Sequence, residues 1–274
     1  LNCPVPMMTQ ARNKEKLLSH FKRYQNVLVA FSGGVDSALV LSAAVTALGP
    51  ENVLAATARS ESLPERELNS AKEFALSLGV PYEIIRTQET SSPDYLENSN
   101  RRCYHCKSEL YGKLAILAKE KGIEAILNGV NKDDLGDYRP GIAAGREANV
   151  KSPLAEEDFT KADVRSLAKE LGLSNWDKPA MACLSSRIPF GTPITIEKLS
   201  MVERAEDVLI SLGFEQMRVR HHGDVARIEL NSEDIPRFFS GDAAGQTQKA
   251  FRDIGFRFIA VDIEGFRSGK MNPV

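Results

Sequence analysis

The chain reads as an α/β protein, a doubly wound parallel sheet in residues 1–190 followed by a smaller C-terminal α/β domain in 191–274. Two observations predict this. Short apolar runs alternate with amphipathic helical stretches as far as Gly129, and from Thr195 the pattern changes to half-polar strands and short helices. At 274 residues there is ample core for one large domain or two unequal ones.

Residues 14–24 space Leu17, Leu18 and Phe21 as a short amphipathic helix. Val27-Leu28-Val29-Ala30-Phe31 is a buried strand, and the apolar residues 38–45 beyond it form a helix against the sheet. Residues 53–57 make a second strand leading into Arg59 and Ser60, and the helix after Pro64 turns Leu68, Ala71, Ala75 and Leu78 inward before Gly79. Residues 82–85 make the third strand. The polar loop 86–102 then delivers Arg101-Arg102-Cys103-Tyr104-His105-Cys106-Lys107 to a helix with Leu110, Leu114 and Leu117 inward. Residues 125–129 supply the fourth strand, and 138–155 read as loop. Thr160 caps a helix to Leu171, with Asp163 at the reciprocal position. In 178–191, which includes Ala180 and Met181, two prolines and a glycine exclude regular helix throughout. The C-terminal part is a helix over 197–212, a strand over 216–221, a turn at Gly223-Asp224, a strand over 225–230 with one wet face, two helices, and a strand over 256–262.

The first strand runs into Ser32-Gly33-Gly34-Val35-Asp36-Ser37. Gly33 and Gly34 permit positive φ and leave no Cβ in the way, so successive N–H groups can face one concavity at a helix N-terminus. The helix end and the hydroxyls of Ser32 and Ser37 favour a phosphate there. In a doubly wound sheet, Thr57 to Ser60 and Gly129 to Asp134 line the same crevice at the carboxyl ends of the strands. Asp36 is the strongest candidate for a divalent cation beside that phosphate, whereas Asp133 and Asp134 suit either the same site or helix capping.

A net charge of −2 argues against a large nucleic-acid footprint, and no apolar run approaches a membrane span. Residues 1–10 lack the pattern of a secretory signal, so a cytoplasmic protein is expected. Four cysteines are too few for a disulfide framework. Cys103 and Cys106 form a C-x-x-C, Cys183 stands alone, and Cys3 lies in a terminus expected to be mobile.

The SGGxDS loop resembles the PP-loop of the ATP pyrophosphatase superfamily, whose fold is like that of the adenine nucleotide alpha hydrolases. No Gly-Lys-Ser/Thr follows the strand, which sets aside a mononucleotide P-loop. The whole chain further resembles the LarE family of sulfur transferases, which serve nickel-pincer cofactor synthesis for lactate racemase. The likeness runs through the Arg-Cys-Tyr-x-Cys-Lys segment, Ser152-Pro153-Leu154 and the Ala-Cys-Leu-x-Ser-Arg-Ile-Pro segment around Cys183. It implies ATP and Mg²⁺, with residues Ser32 to Ser37, Thr57, Ser60 and Gly129 at the nucleotide. A carboxylate of a pyridinium biscarboxylic acid mononucleotide would be adenylylated and exchanged for a thiocarboxylate. It also implies a homo-oligomer, no nucleic-acid or membrane partner, and hand-off to other enzymes of the pathway.

In this family the counterpart of Cys183 is a sacrificial sulfur donor in some members. In others it joins two further cysteines on a [4Fe–4S] cluster, and the presence of Cys103 and Cys106 points to that form. Taken alone, the C-x-x-C also suits zinc, completed by His105, His221 or His222, or simply reduced thiols. Arg187 is expected to fork onto a phosphate or carboxylate. Arg218 and Arg220, two apart on a strand, share a face that would grip the nucleotide phosphate or be merely solvated. Glu206 and Asp207 read as surface helix charges, and Tyr104 and Trp176 as core aromatics or ring-stacking groups. A tRNA-thiolating enzyme, an ammonia-dependent ligase of the same superfamily, and an ATP-binding regulatory module are the competing readings. The ammonia-dependent ligase would leave Cys103, Cys106 and Cys183 without a role.

Overall fold

A computed structural model describes residues 5–136, 139–179 and 182–267, so Cys3, Ala180 and Met181 lie outside the described residues. In chain order the elements are α1 (Val5–Phe21), β1 (Val27–Ala30), α2 (Val35–Leu48), β2 (Val53–Arg59), α3 (Glu65–Ser77), β3 (Tyr82–Arg86), α4 (Pro93–Leu96), α5 (Arg102–Glu120), β4 (Ala125–Leu127), α6 (Pro140–Glu147), α7 (Pro153–Glu156), α8 (Lys161–Glu170), α9 (Ile196–Ser211), β5 (Met217–His222), β6 (Val225–Leu230), α10 (Asp234–Ser240), α11 (Ala243–Ile254) and β7 (Phe258–Val261). The described residues divide into two compact units. One comprises those of 1–60, 65–89 and 103–181, and the other those of 61–64, 90–102 and 182–267.

The first unit is built on a parallel sheet ordered β3-β2-β1-β4. The chain moves outward from β1 to β3 and then returns to the other side of β1, so the order reverses between β1 and β4. Strand side chains alternate between faces. Val27, Val29, Val53, Ala55 and Leu127 therefore join one core with Leu17 and Phe21 of α1, nearly all of α2, Ala71 and Ala75 of α3, and Val164 and Leu167 of α8. Leu28, Leu54 and Ala56 join another core with Leu110, Tyr111 and Leu114 of α5 and Ala144 of α6. Both faces are covered, which is why the strands read as continuous apolar runs.

Four elements differ from expectation: the single-turn helices α4 and α7 fall within 86–102 and at the end of 138–155, both read as loop, and α1 and α6 depart further. Helix α1 begins at Val5, well before Lys14, with Pro6 in the first turn where its missing N–H does no harm. Helix α6 occupies what reads as loop in the sequence, because Pro140 opens it and its glycines serve packing. A Cβ on Gly145 would stand 3.4 Å from the Tyr111 ring, and one on Gly141 would stand 3.0 Å from Lys107 Cγ. The Thr160–Asp163 capping box of α8 forms in both directions.

In the second unit β5 and β6 make an antiparallel hairpin, turning at Gly223 with φ +62°, and β7 adds parallel to β6. Helices α9 and α11 cover one face, enclosing Leu209, Phe214, Val219, Ile228, Phe251 and Phe256. The wet face expected on β6 is a correction. Glu229 there is buried, because Arg220 and Arg227 both pair with it.

Candidate functional site

The Ser32–Ser37 loop joins β1 to α2 at the carboxyl end of the sheet, beside the reversal of strand order. Gly33 takes φ +76°, which L side chains avoid, and a Cβ there would crowd Ala71 at 3.3 Å. Gly34 does not share this conformation. It is the extended N-cap of α2, φ −77°, because one reversal at Gly33 already turns the chain. Its carbonyl accepts from the Ala38 N–H and the Ser37 hydroxyl, and Ser37 Oγ in turn accepts from the Ser32 N–H at 3.2 Å. No side chain caps α2, so the N–H groups of its first turn keep their donor capacity for an anion.

Neighbouring strands brace the loop. Thr57 donates its hydroxyl to the Phe31 carbonyl at 2.7 Å, a strand-tying role that consumes the proton. Gly129 follows β4, and a Cβ on it would meet the Ser37 nitrogen at 2.6 Å. Only glycine lets this backbone lie against the first turn of α2. Ser60, half-buried past the end of β2, is bonded within the structure.

Asp36 holds the one negative charge inside the loop. Its carboxylate accepts from Asn131 Nδ2 at 3.0 Å and from Lys161 Nζ at 2.5 Å. Asp133 accepts the Lys161 N–H, and Asp134 accepts the Asn131 N–H while pairing with Arg139. Both aspartates thus perform the capping alternative. Asn175 reaches the Gly33 carbonyl at 3.1 Å. Lys161 and Asn175, which the sequence reading did not single out, also contact the loop. Lys161 carried a signal, since the residue after an N-cap lies at a helix mouth that here faces the same crevice.

The second unit holds Cys183, half-buried, as N-cap of a single 3-10 turn over Leu184–Arg187. Arg187 requires a correction: it does not present its fork to an anion. Its Nε and second terminal nitrogen pair with Glu206 at 2.9 and 3.3 Å, with both side chains wholly buried. Glu206 is accordingly no surface charge. Arg220 is likewise engaged, by Glu229 and by the Ser186 carbonyl at 3.0 Å. Arg218 is buried on the same strand face, lies over the Phe266 ring and bonds the Met217 carbonyl. Burial first, then the charges of Arg187 and Arg220, lower its pKa to about 10. The solvated-face alternative for this pair therefore fails.

Asn98, Tyr95 and Arg102 frame the same turn. Tyr95 bonds the Ser185 hydroxyl, Arg102 bonds the Ser185 carbonyl at 3.0 Å, and Asn98, at φ +57°, donates to the carbonyls of Pro189 and Thr192. In the first unit, Cys103 and Cys106 lie three apart on the first turns of α5, exposed and half-buried respectively. That spacing places both thiols on one side of the helix. Among the described residues no three His, Cys, Asp or Glu side chains gather as a metal site. Trp176 packs on the core with Lys169 over its ring, and Tyr104 bonds Glu147. No described helix is long and apolar enough to cross a membrane.

A glycine-braced anion cradle at the reversal of a parallel sheet, without a mononucleotide P-loop lysine, defines a PP-loop protein of the ATP pyrophosphatase class. The NAD synthase family model matches residues 14–102. Over 266 residues the chain is 42% identical to the pyridinium-3,5-bisthiocarboxylic acid mononucleotide synthase of Lactiplantibacillus plantarum, covering 97% of this chain and 96% of that protein. It is 46% identical to the uncharacterized protein slr1717 of Synechocystis sp., over 95% of this chain and 97% of that protein. The NH(3)-dependent NAD(+) synthetase of Chlorobaculum tepidum matches at 30% identity over only 59% of each chain. The chain belongs to the LarE family, within the PP-loop superfamily.

Proposed function

We propose that the protein adenylylates a carboxylate of pyridinium-3,5-biscarboxylic acid mononucleotide with ATP and replaces its oxygen by sulfur. The carrying observation is the uncapped first turn of α2 beside the Asp36–Lys161 pair, a place made for a polyphosphate and its metal ion. The name of the Lactiplantibacillus relative supplies the product, a bisthiocarboxylic mononucleotide, and the substrate follows by chemistry. A carboxylate oxygen is a poor leaving group, so exchange for sulfur calls for activation. Attack by that oxygen on the α-phosphorus expels pyrophosphate and leaves an acyl-adenylate, from which AMP departs readily.

The Ser32–Ser37 loop would hold the pyrophosphate, Asp36 would take Mg²⁺, and Lys161, released from Asp36, would balance phosphate charge. Gly129 and Thr57 keep the loop in shape. Arg218 and Arg220, which share a face of β5, are the groups proposed for the substrate phosphate. In the sacrificial route, the Cys183 thiolate attacks the acyl carbon and expels AMP. Loss of the Cys183 Cα proton with cleavage of its Cβ–S bond then leaves the thiocarboxylate on the substrate and dehydroalanine in the chain.

The thiols of Cys103, Cys106 and Cys183 are the set we propose for a [4Fe–4S] cluster. The helical pair suits two ligands, while among the described residues no three such side chains gather as a metal site. Such a cluster would offer a sulfide that spares Cys183. The reading carries with it a cytoplasmic homo-oligomer that passes its product onward. A tRNA-specific 2-thiouridylase of Leptospira biflexa matches over 58% of this chain at 26% identity, which gives the tRNA reading weaker support.

The test is pyrophosphate release and thiocarboxylate formation with the purified mononucleotide. The Cys183→Ala variant should bind ATP and transfer no sulfur. Anaerobically purified protein with about four irons and matching sulfide supports the cluster. Iron-free protein losing 34 mass units from Cys183, about the mass of H₂S, supports the sacrificial route.

A further inference from the structure

We propose that Arg187 and Glu206 are positioning residues that aim the Cys183 thiol, a role that rests on Cys183 being the sulfur-handling residue. The guanidinium has two working edges. One, Nε with Nη2, meets the Glu206 carboxylate at 2.9 and 3.3 Å, and the other is Nη1 alone, within reach of the Ala182 carbonyl at 2.5 Å, the Cys183 carbonyl at 2.9 Å and Ser186 Oγ at 3.0 Å. Those two carbonyls belong to the peptide planes on either side of the Cys183 Cα. Fixing both planes fixes φ and ψ at Cys183, here −62° and 157°, and with them the direction of its Cα–Cβ bond.

Glu206 sets the plane of the fork and is itself anchored, since its Oε1 also accepts the Val219 N–H of β5 at 3.3 Å. Cys183 is thus referenced through two side chains to the sheet of its own unit. Ser186 adds to the clamp by donating its hydroxyl to the Cys183 carbonyl at 2.7 Å. Neither Arg187 nor Glu206 has surface left for a substrate. A buried ion pair is a poor source of stability compared with apolar side chains of similar volume. Its geometry here has another use, because no other side chain presents five donors in one rigid plane.

The test compares three proteins: the parent, Arg187→Lys, whose single ammonium cannot hold both Glu206 oxygens and both carbonyls at once, and Arg187→Met combined with Glu206→Leu, which removes both charges. Each is measured for thermal melting, for sulfur-transfer kcat and the KM for ATP, and for the iodoacetamide alkylation rate of Cys183, followed on its own peptide by mass spectrometry. The expected result is cooperative melting in both variants, at least a threefold change in Cys183 alkylation and at least a tenfold fall in kcat with little change in KM. A variant that melts cooperatively and keeps parental alkylation and kcat overturns the proposal. If the double variant does not fold, the Lys variant decides by the same criteria. Should the parent transfer no sulfur, the functional reading fails, while the alkylation comparison still decides whether the clamp aims the thiol.

Discussion

Lys161 Nζ lies 2.5 Å from the carboxylate of Asp36, joining the first residue of α8 to the second residue of α2 across the end of the sheet. Two groups suited to a metal ion and a phosphate are stored against each other. Both are partly exposed, so their pairing contributes little to stability.

Lys161→Ala is therefore expected to leave the melting temperature nearly unchanged while weakening ATP. Loss of one charge-assisted phosphate contact is worth about 2–3 kcal/mol, roughly 30- to 150-fold in kcat/KM. Pyrophosphate release as a function of ATP concentration measures it, and parental kinetics would remove Lys161 from the site.

Gly129→Ala tests the close approach of β4 to α2. The added methyl would sit 2.6 Å from a backbone nitrogen, with no flexible side chain to yield. Overpacking of this kind costs about 1–3 kcal/mol and displaces the loop. Urea unfolding should show the loss and calorimetry a weakened ATP titration; an unchanged midpoint would contradict the geometry.

Arg218 remains charged at neutral pH although burial has lowered its pKa to about 10, so a nearby anion is favoured. Phosphate or AMP at millimolar concentration should raise the melting temperature of the parent by mass action. Arg218→Met should lose most of that increment, measured against its own melting temperature in plain buffer. An equal increment in both proteins would place the anion elsewhere.

His221 and His222 are both held below the ordinary histidine range. For His221 the causes are burial and then Lys198, partly offset by Glu197; for His222 they are burial and then Arg227 and Arg220, partly offset by Glu229. The folded state thus resists their protonation, whereas the unfolded chain takes protons near pH 6.5. Stability from this source is complete above that pH and is lost as pH falls through and below it. Melting at pH 7.5 and 5.5 should show a smaller acid-side drop in His221→Gln than in the parent.

The phosphate cradle was legible because its determinants are local. Gly33, Ser37 and the apolar strand and helix on either side act within a dozen residues of one another, and period and turn chemistry report such relations directly. The parallel sheet followed from the same regularities repeated. Helix α6 was hidden because Gly141 and Gly145 are there for the close approach of α5, a contact the linear pattern does not record.

The charged residues divide along the same line. Their identities, and the spacing that puts Arg218 and Arg220 on one strand face, are properties of the chain order. Whether each arginine meets water, a carboxylate or a carbonyl depends on partners far away in sequence: Glu206 lies 19 positions from Arg187, and Lys161 lies 125 from Asp36. Electrostatic pairing acts through space and desolvation depends on what covers the group, so only the folded chain made Arg187 a backbone clamp and Glu206 its buried counter-charge.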